Sequence, residues 1–312
     1  MLVSSIFIGK DIQASEIHVL WAEKYDSIDE MADDSEIIVK GKVIEQRTTQ
    51  TENGTVYTIS TLEIGSVYKG PLSKKIELNQ LGGTTEDFSL SAPEECPLLV
   101  QGKEYIIFAS QNSNSQTYYI KGAGQGVMNG DIVADDANYE TVIKECTMIF
   151  NNHLNYTVHQ RSIGTPSPGH KWNKRNLTYD IGYHDESSNY LSAIRSGVAS
   201  WSGIAGFSLT ETDYFGDITI RYDIHGNDNV CGYASVNTTG STITDAHIMI
   251  YVYNSALTNP TRWRTLACHE VGHCLGLSHY TATSSSAMFT YIQDCSSYPQ
   301  NVDIIGMNNL YL

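Results

Sequence analysis

Between Ser35 and Asp131 apolar and polar residues alternate in short runs: Ile37, Val39, Gly41 and Val43 first, then residues 56–64, 76–78, 105–108 and 118–120. Turn-forming stretches at 52–55, 81–84 and 111–115, rich in Asn, Gly, Ser and Thr, separate them. A period of two broken by such turns predicts half-buried strands, and several in succession predict a small barrel or sandwich. Further along the period changes. Leu191, Ile194, Val198 and Trp201 fall at i, i+3, i+7 and i+10, one face of a helix. Strands are expected at 177–181, 207–212, 217–222 and 247–253, with a further helix after them.

A chain of 312 residues suits two domains better than one. Residues 161–170, Arg-Ser-Ile-Gly-Thr-Pro-Ser-Pro-Gly-His, have no apolar periodicity and read as an exposed linker. The charge changes there too: residues 1–160 hold 11 basic and 23 acidic side chains, net −12, and residues 161–312 hold 8 and 12, net −4. An overall charge of −16 repels phosphate backbones and argues against nucleic acid as a partner. No apolar run approaches the roughly 20 residues of a membrane span. Residues 1–15 pair an apolar stretch with small residues, as in the remnant of a secretory signal, and point to an extracellular protein. Six cysteines permit pairing within each half, Cys96 with Cys146, and Cys231, Cys268, Cys274 and Cys295 among themselves.

The chemistry is concentrated in His269-Glu-Val-Gly-His-Cys-Leu-Gly-Leu-Ser-His279. On a helix His269 and His273 are one turn apart, so both imidazoles project from one face and suit one ion with Zn–N distances of about 2.0–2.1 Å. Gly276 is placed to cap the helix in the left-handed conformation and let His279 return as third ligand. Three neutral imidazoles leave the fourth position open, which a catalytic zinc requires. Glu270, displaced about 100° around the helix from His269, is the expected general base.

This HExxHxxGxxH segment resembles that of the metzincin zinc endopeptidases, and the surrounding residues, roughly 170–312, are most similar to the matrixin branch. Ser286-Ala-Met288 resembles the methionine turn beneath the metal, residues 171–179 and 216–220 resemble matrixin strands, and 301–311 resembles the last helix. The alternation predicts a small all-β domain, barrel or sandwich, over 16–160 and the composition a linker at 161–170, while the resemblance implies a zinc metallopeptidase domain over 171–312; together they make an α+β fold. That domain would have a twisted, mostly parallel sheet with an antiparallel edge strand, an active-site helix and a C-terminal helix. It also implies hydrolysis of internal peptide bonds of proteins or peptides. A substrate would lie as an added strand along Gly232, Tyr233, Ala234, Ser235 and Val236, beside a pocket walled by Phe289 or Tyr291. One catalytic zinc is expected. His225 and His247 have no third histidine between them, so a second, structural zinc is not; Asp223, Asp228 and Asp245 are the oxygen donors open to a calcium ion.

The first half faintly resembles the OB-type barrel of tissue inhibitors of metalloproteases, without their N-terminal cysteine. Three roles stay open for it: inhibitory pro-region, substrate-binding module or stabilising domain. Cys96 is expected to bridge to Cys146, with a zinc-blocking thiolate as the alternative. A metal-bearing binding protein that cleaves nothing is the competing class, against which the intact Glu270 argues.

Overall fold

The computed structural model describes residues 14–71, 73–86, 88–134, 137–157, 165, 167–182, 188–224, 229–281 and 285–312. Residues 1–13, most of the expected signal remnant, lie outside them, as do His225, Asp228 and most of 161–166. No helix among the described residues is long and apolar enough to cross a membrane.

The chain opens with strand β1 (Ala14–Trp21) and helix α1 (Ile28–Asp34), whose Ser27 side chain accepts from the Glu30 amide as N-cap. The alternating segments then form β2 (Ile37–Gln50), β3 (Val56–Lys69), β4 (Lys75–Leu81), the short β5 (Gly83–Thr84) and β6 (Ser89–Leu90), β7 (Glu104–Gln111), β8 (Tyr118–Ile120) and β9 (Val127–Asn129). Antiparallel pairing of β2 with β3, β3 with β4, β7 with β8 and β7 with β2, and parallel pairing of β4 with β8, close a five-stranded barrel. Ile37, Val39, Val43, Leu62, Leu78 and Ile107 fill it. The expected barrel is there, but the region is not all-β. Helix α2 (Tyr139–Thr157) packs with α1 on the barrel, burying Val142, Ile143, Cys146 and Phe150 against Met31 and Phe108. Those four positions fall at i, i+1, i+4 and i+8, a helical stripe within the sequence.

The second part carries β10 (Asn176–Ile181), α3 (Ser188–Ala199), β11 (Ser208–Glu211), β12 (Ile218–Asp223), β13 (Val230–Thr239), β14 (Thr242–Tyr251), α4 (Pro260–Cys274) and α5 (Asn301–Tyr311). In the order β11-β10-β12-β14 the strands are parallel, and β13 adds antiparallel to β14. The apolar face of α3 is buried as its spacing requires, with Ile194 and Val198, and Trp201 just beyond its end, fully inaccessible. Strand β13 is not an edge. β1 pairs with it antiparallel, matching Ile17 with Ser235, His18 with Ala234, Val19 with Tyr233 and Leu20 with Gly232, and β6 and β5 extend the sheet beyond it.

Alternation explains why β1 fits this place. Ile17, Val19 and Trp21 point to the barrel core, while Leu20 enters the core beneath α4. The expected linker is also less free than its composition suggests: Thr165 is buried on α5, its amide donating to the Val302 carbonyl at 3.0 Å. None of the six cysteines is bridged. Cys96 and Cys146 belong to different cores, and burial pushes both thiols up to about 12, as befits cysteines acting as small apolar residues.

Candidate metal centre and peptide cleft

Helix α4 starts on a strong local signal. Asn259 caps it by accepting from the Arg262 amide, and Pro260 takes the first helical position, where no backbone donor is needed. Its C-terminal carbonyls are satisfied by distant groups: Trp172 Nε1 donates to the Cys274 carbonyl at 2.8 Å and the Tyr311 hydroxyl to that of Leu275 at 2.7 Å. Gly276 then adopts φ +96°, and a Cβ there would meet the His170 carbonyl at 2.3 Å. The chain reverses at that glycine and brings His279 back toward the helix.

The expected histidines meet. Ligand atoms of His269, His273 and His279 lie within 4.8 Å of one another. Each ring is oriented through Nδ1, His269 by the Ala287 carbonyl at 2.8 Å, His273 by the Leu277 carbonyl at 2.7 Å and His279 by the Glu95 carboxylate at 2.5 Å. With Nδ1 carrying the proton, Nε2 of each ring is a bare lone pair. Those of His269 and His273 face each other at 2.9 Å, and that of His279 has no protein partner. Burial and the neighbouring rings hold His269 and His273 well below the usual histidine pKa, so extra protons do not relieve this repulsion. A cation does. The donor set fits zinc.

Glu270 is fully buried beside this set, and neither carboxylate oxygen has a hydrogen-bond partner. Burial raises its pKa well above the ordinary value; the backbone amides of Ala234 and Leu20 face the carboxylate and pull the other way without completing a bond. Met288 is fully buried under the helix, where a Cβ on Gly272 would meet its sulfur at 2.3 Å. Only glycine between the two helical histidines lets the methionine come so close. The preceding Ala287 supplies the carbonyl that orients His269, so the turn positions a ligand as well as filling space.

The residues expected to bind substrate, Gly232 to Val236, are brought beside the metal set, but β1 already pairs with them. Tyr291 lies on the opposite side of β1: the Trp21 amide donates to the Thr290 carbonyl at 3.1 Å and the Ile292 amide to the Trp21 carbonyl at 3.0 Å. Phe289 packs toward Tyr280 instead, with ring centroids 5.9 Å apart. His247 bonds Thr219 at 2.5 Å and faces Asp245 at 3.1 Å on the surface.

Two residues near the metal set were not singled out from the sequence. The His18 ring stacks on His273 at 4.4 Å with planes 11° apart, its pKa pushed down to about 4 by burial and by His279. Glu95, next to the Cys96 suspected of reaching the metal, is the residue that reaches the site. Gly124 makes room for it, since a Cβ there would meet the Glu95 carbonyl at 2.0 Å. A carboxylate on the far nitrogen of a ligating imidazole fixes the tautomer and strengthens the ligand. We therefore expect Glu95→Ala to weaken zinc binding about tenfold or more, by chelator competition, and Glu95→Gln to recover part of it by keeping an acceptor. Unchanged affinity in Glu95→Ala would show that the contact is incidental.

No curated protein sequence matches the chain. Among solved structures, the crystal structure of myroilysin matches at 13% sequence identity with a TM-score of 0.34, over 45% of this chain and 85% of that one. Residues 171–312, which hold the whole histidine set, match the matrixin family. Over those residues, then, the chain resembles the matrixin branch of the metzincin zinc endopeptidases.

Proposed function

We propose that the chain is a secreted zinc-dependent endopeptidase that hydrolyses internal peptide bonds of proteins, with Glu270 as general base. The observation that carries this is the set of three imidazoles locked through Nδ1, their Nε2 lone pairs converging beside a buried, unpartnered carboxylate. Zinc held by His269, His273 and His279 supplies Lewis acidity to the scissile carbonyl and to the attacking water. Glu270 takes the proton that water loses and returns it to the leaving amine. The burial of Glu270 suits this, because it lifts the carboxylate's basicity toward that of a working base. Substrate lies extended along Gly232 to Val236, its backbone pairing as an added strand, with Tyr291 on the far wall.

Secretion rests on the pattern of residues 1–15 alone, since the unbridged cysteines add nothing to it. The test is incubation of the zinc-loaded chain with a peptide library, reading cut sites by mass spectrometry. Cleavage that disappears with a chelator and returns with zinc is expected; cleavage indifferent to the chelator, or none by a zinc-loaded folded chain, counts against the reading.

A further inference from the structure

Strand β1 fills the groove in which a substrate of this enzyme would lie. It is gripped on both sides, by β13 along residues 16–21 and by Thr290 and Ile292 at Trp21. Such two-sided backbone pairing is how an extended peptide is captured on a sheet, with alternate side chains entering pockets. Leu20 makes that second contribution: its side chain is fully inaccessible, sunk in the core of the matrixin-like part, whereas its neighbours Val19 and Trp21 belong to the barrel core. The register is informative. Leu20 is the residue of this strand whose side chain enters the core beneath α4, the helix that carries Glu270, and its amide pulls the Glu270 carboxyl pKa down. A general base that hands its proton to the leaving amine must sit beside the nitrogen of the bond being broken, within hydrogen-bond reach. In β1 that bond joins Val19 to Leu20. On the other side of it His18 covers the metal set, stacked on His273 and edge-on to His279 at 6.2 Å.

We propose that β1 is bound as the chain's own substrate, that Val19–Leu20 is the bond presented to Glu270, and that its hydrolysis frees the half of the cleft covered by His18. The inference rests on the peptidase reading above. Water is the only co-reactant: its oxygen adds to the Val19 carbonyl carbon, the C–N bond breaks, and the products are a carboxylate on Val19 and an ammonium group on Leu20. Residues up to Val19 then depart, while Leu20 and Trp21 stay attached to the barrel and to the strand pairing at Thr290 and Ile292.

The experiment uses the full chain purified in the presence of a chelator, then given zinc, with intact mass and N-terminal sequence followed over time. A new N-terminus at Leu20 is expected, at a first-order rate unchanged by tenfold dilution. The Glu270→Ala chain should stay intact under the same conditions, which excludes a contaminating protease. Leu20→Asp, which puts a charge in the apolar pocket, should slow appearance of the new terminus at least tenfold. A short peptide is added in parallel. If that peptide is cut while the chain's own N-terminus persists, β1 leaves the cleft without being cut and the proposal fails. Cutting at a different bond overturns the register, and a rate that rises with concentration overturns cleavage in cis. If neither the peptide nor the chain is cut by the zinc-loaded protein, the proposal fails; the same assay on a chain starting at Leu20 then separates an uncut plug, where the peptide is now cleaved, from failure of the peptidase reading, where it is not.

Discussion

Glu270→Ala is expected to reduce peptide cleavage by a factor on the order of 10²–10⁴, the usual contribution of a positioned general acid–base, while zinc stays bound. The two effects separate because the metal ligands do not depend on Glu270. His269, His273 and His279 are oriented by Ala287, Leu277 and Glu95. The same substitution should leave stability unchanged or raise it. A fully buried carboxylate with no hydrogen-bond partner is costly in the zinc-free fold, so its removal offsets the small cavity left behind. Steady-state turnover, zinc content and thermal melting of the zinc-free protein, measured on one preparation, check all three statements. Substantial turnover by a zinc-loaded, folded variant would remove the role assigned to Glu270.

Which parts of this arrangement could be seen in the sequence follows from the range over which each is encoded. The helix bearing His269 and His273, its glycine cap and the return of His279 occupy eleven consecutive residues, and each step is dictated by local geometry. The barrel strands were legible for the same reason, since alternation and turn residues act over a few positions. The partners that complete the site are remote. Glu95 meets His279 across 184 positions, and β1 meets β13 across more than 200, so no periodicity reports either contact.

The residues Ile17-His-Val-Leu-Trp21 do carry a signal, an apolar run interrupted by one histidine, but a strand that buries both faces has no alternation to betray it. Helix α2 was there to be found, because Val142, Cys146 and Phe150 repeat at helical spacing. The cysteine pairings failed for a different physical reason. Parity is informative only when thiols are not otherwise accommodated, and here five of the six are buried, all five in the three cores.

Asp303 is where the second large effect is expected. It occupies the first turn of α5, is fully inaccessible, and its carboxylate gathers four donors. The Thr165 and Ser286 hydroxyls reach Oδ1 at 2.7 and 2.6 Å, and the Ala287 and Gln300 amides reach Oδ2 at 2.9 and 2.7 Å. One side chain thus joins the start of α5, the segment that leads into the matrixin-like part and the turn that carries Met288. Asp303→Ala leaves two buried amides without an acceptor at about 1–3 kcal/mol each, while the hydroxyls can turn elsewhere; the expected loss is about 3–5 kcal/mol. Asp303→Asn keeps the shape and an acceptor for the two amides, with its NH2 toward hydroxyls that can accept in turn, and should cost roughly half as much. The consequence reaches the metal, because the Ala287 carbonyl that orients His269 sits on the residue whose amide Asp303 holds. Zinc affinity should fall with stability, and denaturant unfolding with and without zinc should show a smaller stabilisation by the metal in Asp303→Ala than in the wild type. A variant that loses stability but is stabilised by zinc as much as the wild type would mean that the methionine turn holds His269 without help from Asp303.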